Sequence, residues 1–230
     1  MLKTNPEQKE KAMAHGGSLV QLSRRKFLGY TGIFSGLLVA GAACKKDDDK
    51  SVNLGSGDVG ILNYAYALEQ LEAAFYTKVI SSQYSGITPA ETALLTDIRD
   101  HEIAHREFFK TALAGNAIGA LEVDFSSINF GDRSSVLGAA KAFEDLGVSA
   151  YNGAGKLITS ADYLVLAGKI VSVEARHAAY IRDLISNGSF ADNTVIDSNG
   201  LDKSRMPSEV LAAAGTYIKT KINASSLPTS

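Results

Sequence analysis

From Ile61 onward, apolar residues recur at intervals of three and four, which is the spacing of one face of an α-helix. Extended runs of alternating β-branched residues, which are typical of strands, are absent from this part of the sequence. The spacing predicts five helices. Their approximate ranges are 58–82, 88–115, 134–153, 160–188 and 208–222.

The connections between the predicted helices differ in length. The segment 115–134 is long and rich in Gly, Asn, Asp and Ser, whereas the connections on either side of it are short. Two helical hairpins joined by one long crossover form a recurrent bundle topology. We therefore expect an all-α fold, a four-helix bundle over 58–188 with a long central crossover, and an additional C-terminal helix in 189–230 that packs outside the bundle or at one end.

Acidic and imidazole side chains recur at matching places in the two predicted hairpins. Glu102 and His105 lie three residues apart on the second helix, and Glu174 and His177 repeat that spacing on the fourth. Residues three apart share a helix face, so each pair is a chelating half of a metal site. Glu69 on the first helix and Glu144 on the third complete a pattern that places two metal ions inside a four-helix bundle.

Two glutamates on the first helix compete for one ligand position. When the segment around Glu69 is aligned with the segment around Glu144, Glu72 falls on Gly147, which has no side chain to bind a metal. The internal repeat therefore favours Glu69, with Glu72 as the alternative.

The same alignment superimposes Tyr76 on Tyr151, two turns after the chosen glutamates. Both tyrosines are candidate catalytic residues, either as hydrogen-bond donors to the ligands or as carriers of a radical. The alternative is that each is an ordinary aromatic residue at a helix interface.

The types of ligand narrow the choice of metal. Cys44 is the only cysteine, so no thiolate cluster can form within one chain. Four carboxylates balance the charge of two divalent ions, and carboxylate with imidazole favours iron, with manganese as the alternative. Two redox-active ions suit oxidation chemistry with dioxygen or peroxide, with ferrous iron as a candidate substrate.

With these motifs and this order of helices, the chain resembles the ferritin-like superfamily, and within it the exported ferritin-like domain proteins related to desiccation-associated proteins. The matching segments are 62–73, 143–151 and 173–178, and the resemblance covers about 58–188. It implies a di-metal carboxylate site whose ligands are Glu69, Glu102, His105, Glu144, Glu174 and His177. It does not imply iron storage, because members of the superfamily also include oxidases, reductases and peroxide scavengers.

Two other functions compete with this one. Residues 101–105 match a zinc-protease signature in which His101 and His105 bind zinc and Glu102 activates water. That interpretation leaves Glu69 and Glu144 without a role, and it makes His101 a ligand instead of a surface neighbour. The second alternative is a non-catalytic bundle in which the metals only stabilise the fold and the protein serves to protect the cell envelope or to protect against stress.

The first fifty residues predict export. Residues 23–28 resemble a twin-arginine signal, and the apolar run 29–43 that follows is shorter than the roughly 20 residues of a membrane span. Cys44 then resembles the lipidated residue of a lipoprotein, although Gly41 departs from the usual leucine. We expect residues 1–43 to be removed, residues 44–57 to form a charged and Gly-containing linker, and the protein to reside in the periplasm or cell envelope, on a lipid anchor at Cys44.

Lys and Arg total 23 against 25 Asp and Glu, which excludes a general nucleic-acid-binding surface. Homo-oligomers are compatible with the predicted bundle, but a tether and a fifth helix fit poorly with a closed storage cage.

Overall fold

The computed structural model describes residues 51–230. The twin-arginine-like segment, the predicted lipidation at Cys44 and the first half of the predicted linker lie outside the described residues. Within 51–230, no helix is both long enough and apolar enough to cross a membrane.

Four long helices form two hairpins. Their bounds are α1 Gly57–Ser81, α2 Pro89–Leu113, α3 Arg133–Gly155 and α4 Ala161–Ile185. Helix α1 packs along α2, and α3 packs along α4. A single turn of 3-10 helix, Ala114–Asn116, begins the long crossover from α2 to α3. The predicted all-α four-helix bundle with a central crossover is therefore confirmed.

Side-chain caps define where three of these helices begin. Thr88 Oγ1 accepts a hydrogen bond from the Glu91 backbone N–H, and the Glu91 carboxylate accepts one from the Thr88 N–H, both at 3.1 Å. This is the capping box expected from the sequence, with Pro89 at the first helical position. The Asp132 side chain accepts a hydrogen bond from the Ser135 N–H at the start of α3, and the Ser160 side chain accepts one from the Tyr163 N–H at the start of α4. The caps satisfy backbone donors that the helices themselves leave unpaired.

Two buried amide side chains on α1 hold the crossover against the bundle. Asn63 Oδ1 accepts from the Ile118 N–H at 3.0 Å, and its Nδ2 donates to the Leu54 carbonyl at 3.0 Å. Two turns further along α1, Gln70 Oε1 accepts a hydrogen bond from the Leu121 N–H at 2.9 Å. Helix α1 is consequently covered by α2, by α3 and by the crossover, and almost every residue from Gly60 to Tyr76 is buried.

The hairpins meet through aromatic packing between α1 and α3. The Phe75 ring lies edge-on to Phe143, with 4.9 Å between the ring centroids, and 5.0 Å from Tyr76. Tyr217, which follows the last helix, also packs edge-on against Phe143, with 4.7 Å between the ring centroids. This contact fixes the spacing of α1 and α3 beside the position where the acidic residues meet.

Polar contacts join the hairpins at both ends of the bundle. At one end the Asp58 carboxylate accepts hydrogen bonds from the N–H groups of Thr159, at 2.7 Å, and Ser160, at 2.9 Å. At the other end Arg133 Nε donates to Glu91 Oε1 at 2.8 Å. The two hairpins are thus tied together on each side of the central acidic cluster.

The predicted fifth helix is shorter than expected. Helix α5 covers only Pro207–Ala214 and packs on α3, so the prediction of a helix reaching residue 222 is wrong. Residues 222 and 223 instead form a short strand β2, Ile222–Asn223, which pairs in parallel with β1, Val52–Asn53. The Val52 N–H donates to the Lys221 carbonyl at 2.7 Å. Backbone partners supplied by a distant part of the chain therefore replace those of the helix.

Candidate metal centre

The six predicted ligands converge between the four long helices. The four carboxylates have no exposed side-chain surface, and 5% of His177 and 13% of the His105 side chain are exposed. They form two groups, each with one ligand atom per residue within 4.8 Å of the others. The first half-site consists of Glu69, Glu102, His105 and Glu174, and the second half-site of Glu102, Glu144, Glu174 and His177.

In the first half-site, His105 faces three carboxylates. Its Nδ1 lies 2.9 Å from Glu174 Oε1, 3.5 Å from Glu69 Oε2 and 3.7 Å from Glu102 Oε2. The Glu102–His105 pair occurs because the two residues are separated by three positions on α2, while α1 and α4 bring the other two carboxylates to the same point.

The second half-site repeats this arrangement on the other hairpin. His177 Nδ1 lies 2.9 Å from Glu102 Oε1, 3.5 Å from Glu144 Oε2 and 3.8 Å from Glu174 Oε2. Glu102 and Glu174 each direct one oxygen toward each histidine. Two carboxylates placed in this way can bridge two metal ions.

The donor atoms at the centre lack hydrogen-bond partners. Among the described residues, none of the eight inward-facing nitrogen and oxygen atoms of the two half-sites makes a well-directed hydrogen bond. A buried polar group without a partner is costly, and a buried charge more so. Bound cations would satisfy all eight atoms at once, and a donor set of carboxylate oxygen and imidazole nitrogen is one that iron and manganese accept. The residues therefore fit a metal centre.

A family model for the ferritin-like domain matches residues 57–187, more than half of the chain. The chain belongs to the ferritin-like domain family. The matched residues include α1 to α4 and all six predicted ligands, whereas α5 lies beyond the match. No curated protein matches the chain.

The centre of the ferritin-like domain attracts positive charge. Burial alone would lower the pKa of His105 and His177, but the surrounding carboxylates raise the pKa of each to about 12. Burial opposes ionisation of Glu174 as well, yet the two imidazoles lower its pKa to about 2. In the absence of metal, the two protonated rings therefore supply the charge that the carboxylates require. A metal ion that takes their place must release those protons.

The two predicted tyrosines bind the outer oxygens of the terminal carboxylates. Tyr76 on α1 donates its hydroxyl to Glu144 Oε1, and Tyr151 on α3 donates to Glu69 Oε1. Each tyrosine thus reaches from its own hairpin to the glutamate of the other and leaves the inner oxygen, Oε2, free. Burial and the neighbouring glutamates raise the pKa of both tyrosines, which keeps the hydroxyls protonated as donors.

The structure also distinguishes Glu69 from Glu72. The Glu69 carboxylate belongs to the first half-site, whereas Glu72 is in neither group. Glu72 is nevertheless buried, with 4% of its surface exposed, one turn further along α1.

His101 makes a contact that the sequence did not predict. Its ring stacks on His177, with 7° between the ring planes, and its Nδ1 lies 2.9 Å from His177 Nε2. With Nδ1 of His177 facing the carboxylates, the Nε2–H can donate to His101. Within residues 51–230, the candidate metal groups include His105 and not His101, so the geometry does not assemble the pair of histidines that a zinc-protease site requires.

Proposed function

We propose that this ferritin-like domain holds two iron or manganese ions and uses them for oxidation chemistry, with dioxygen or peroxide as the oxidant and ferrous iron as a candidate substrate. The observation that carries the proposal is the pair of half-sites that share Glu102 and Glu174. Two ions held by common carboxylates can exchange two electrons with a small oxidant when bound.

The charges of the side chains favour two divalent ions. Four ionised carboxylates at the centre would match the charge of two such ions, and the two histidines would hold them as neutral rings through the inward-facing Nδ1 atoms. Tyr76 donates to Glu144 and Tyr151 donates to Glu69. These hydrogen bonds keep the Oε2 atoms of the two glutamates directed at the centre. Complete burial of all four carboxylates excludes bulk water from the ligands and strengthens electrostatic interactions there.

A small apolar cavity beside the centre supports a small oxidant. Leu68, Phe109 and Tyr151 are among the side chains that line it, and its volume is about 20 Å³. A cavity of this size holds one small molecule, and an apolar lining favours an uncharged one. Dioxygen meets both conditions, and the Tyr151 hydroxyl links this wall to Glu69.

The metal content of the natively purified full-length protein tests the proposal. We expect about two iron or manganese ions per chain by mass spectrometry, as two-metal carboxylate bundles hold, and their loss in a Glu102→Ala, Glu174→Ala double variant. The matched control is a Glu107→Ala, Glu122→Ala double variant, because those side chains are 50% and 71% exposed. It should retain the metal.

Turnover then separates catalysis from a structural role. Oxidation of added ferrous iron or consumption of peroxide by the wild type, and not by the double variant, supports the proposed chemistry. Two bound ions without turnover would instead support the non-catalytic envelope or stress-protection function. A single zinc ion that survives in the double variant would contradict both.

We also propose, from the sequence of residues 1–50, that the protein is exported and anchored by a lipid at Cys44. Fractionation of cells that express the wild type or a Cys44→Ala variant tests this. Release of the variant from the membrane fraction is the expected result, and retention of both proteins in the cytoplasm would refute it.

A further inference from the structure

A fifth carboxylate lies next to the four that the proposed centre uses. Glu72 follows Glu69 by one turn on the same face of α1 and is only 4% exposed. Among the described residues, no hydrogen-bond donor or cation pairs with its side chain, in contrast to the other buried α1 polar residues Asn63 and Gln70. A buried carboxylate of this kind is costly unless a cation is close by.

The space for this carboxylate comes from a glycine on the opposite hairpin. A Cβ atom at Gly147 would lie 3.1 Å from Glu72 Oε1 and 3.7 Å from Glu174 Oε2. The first of these distances is shorter than ordinary van der Waals contact, so a side chain at position 147 would push the Glu72 carboxylate away. The missing side chain on α3 and the additional carboxylate on α1 therefore fit each other in space.

The same distances locate Glu72 relative to the two half-sites. The Glu174 oxygen near the Gly147 position is Oε2, which is the oxygen on the His177 side of the centre. Burial and then the charges of Glu102, Glu174 and Glu144 raise the pKa of Glu72 well above its ordinary value, and Glu69 contributes less. Glu102 and Glu174 belong to both half-sites, so the neighbours that distinguish the two are Glu144, of the second half-site, and the weaker Glu69, of the first.

We infer that Glu72 is an additional metal ligand of the second half-site, so that the two ions have unequal ligand sets. The inference rests on the proposed two-metal centre. The first half-site then offers one imidazole and three carboxylates, and the second offers one imidazole and four. The extra negative charge would make the second half-site bind a cation more tightly than the first.

Two substitutions in the full-length protein test the assignment from opposite sides. Glu72→Gln keeps the size of the side chain and removes its charge, whereas Gly147→Ala leaves Glu72 intact and crowds its carboxylate. The matched controls are Glu107→Gln, on the exposed surface of α2, and Gly138→Ala, which lies on α3 with open space around its Cβ position.

Binding of Mn²⁺ is followed by calorimetry, and the ferrous protein is examined by Mössbauer spectroscopy. We expect Glu72→Gln to weaken one of two binding events by about ten-fold or more, the scale on which lost ligand-shell interactions act. One ferrous quadrupole doublet should change while the other is retained. Gly147→Ala should produce the same pattern in weaker form, and neither control should show it.

Three results would overturn the inference, and they are distinguishable. If the wild type binds no metal, the proposed centre itself fails. If the wild type binds two ions and both variants leave the affinities and both doublets unchanged, the centre stands and Glu72 is not a ligand. Equal weakening of both binding events in the two variants would contradict the assignment to the second half-site alone.

Discussion

The two hairpins of this ferritin-like domain present the same donor atoms in different surroundings. Each hairpin supplies a terminal glutamate, a Glu-x-x-His pair and a tyrosine that binds the glutamate of the other hairpin. Only the second half-site has His101 against its histidine, and Glu72 on α1 places its Oε1 close to the same Gly147 Cβ position as Glu174 Oε2. The equivalent positions in the repeat are Val173 and Gly147. The six predicted ligands are therefore arranged symmetrically, and His101 and Glu72 make the two halves unequal.

Removing a shared carboxylate should have the largest effect, because it breaks both halves at once. We expect Glu174→Ala to lose both proposed ions and Glu144→Ala to retain the one in the first half-site. Mass spectrometry of natively purified protein measures the difference, with the exposed Glu122→Ala as the control. Equal losses in Glu174→Ala and Glu144→Ala would show that the half-sites are not separable.

Removing a tyrosine hydroxyl should affect both halves to a similar extent. Tyr76→Phe and Tyr151→Phe each delete a buried hydrogen bond to a carboxylate, a type of interaction that contributes about 1.5–3 kcal/mol. Denaturant unfolding of the metal-free protein should report that loss for each variant. Tyr180→Phe is the control, because Tyr180 is 49% exposed. A loss confined to one tyrosine would contradict the symmetric role.

Changing His101 should affect the second half-site alone. His101→Ala removes the partner of His177 Nε2, and loss of such an outer contact weakens metal affinity by about ten-fold or more. Calorimetric titration with Mn²⁺ should show one weakened binding event and one that is unchanged, whereas Val173→Ala should change neither. Complete loss of metal in His101→Ala would favour the zinc-protease interpretation, in which His101 is a ligand.

The smallest effect is expected where the hairpins are joined, away from both half-sites. The capping hydrogen bonds of Thr88 and the pairing with Arg133 outweigh burial and lower the pKa of Glu91. Because the pKa of Glu91 is lower in the folded protein, the full stabilisation is present at pH values above the pKa of Glu91 in the unfolded chain. The stabilisation is lost as the pH falls through the pKa of Glu91 in the folded protein. Glu91→Gln should therefore lower the free energy of unfolding by about 1 kcal/mol at neutral pH, which is the usual contribution of a helix cap. The ion pair adds little to this value because Arg133 is partly exposed.

Unfolding of the wild type and Glu91→Gln at several pH values measures this dependence. The difference should shrink toward zero well below pH 4.5, the ordinary pKa of a glutamate. A difference that stays constant with pH would show that charge on Glu91 does not contribute. Metal content should be the same in both proteins, since Glu91 lies at the end of the bundle.

The features that could be predicted from the sequence are those with local causes. Helices α1 to α4 follow from apolar spacing, and α2 begins at its predicted capping box because the cap involves residues three apart. The choice of Glu69 over Glu72 followed from the internal repeat, and the structure places Glu69 in the first half-site. Each Glu-x-x-His pair lies on one helix face because residues three positions apart on a helix are neighbours.

Tertiary structure decided what depends on residues far apart in the sequence. The repeat alignment paired Glu72 with Gly147 only as a mismatch, and packing of α1 against α3 placed the Glu72 carboxylate against the position where Gly147 has no side chain. The stacking of His101 on His177 required α2 and α4 to come together. The strand at residues 222 and 223, where the sequence predicted a helix, depended on pairing with residues 52 and 53. Local spacing determines which residues share a helix face, whereas contacts between helices determine which faces meet.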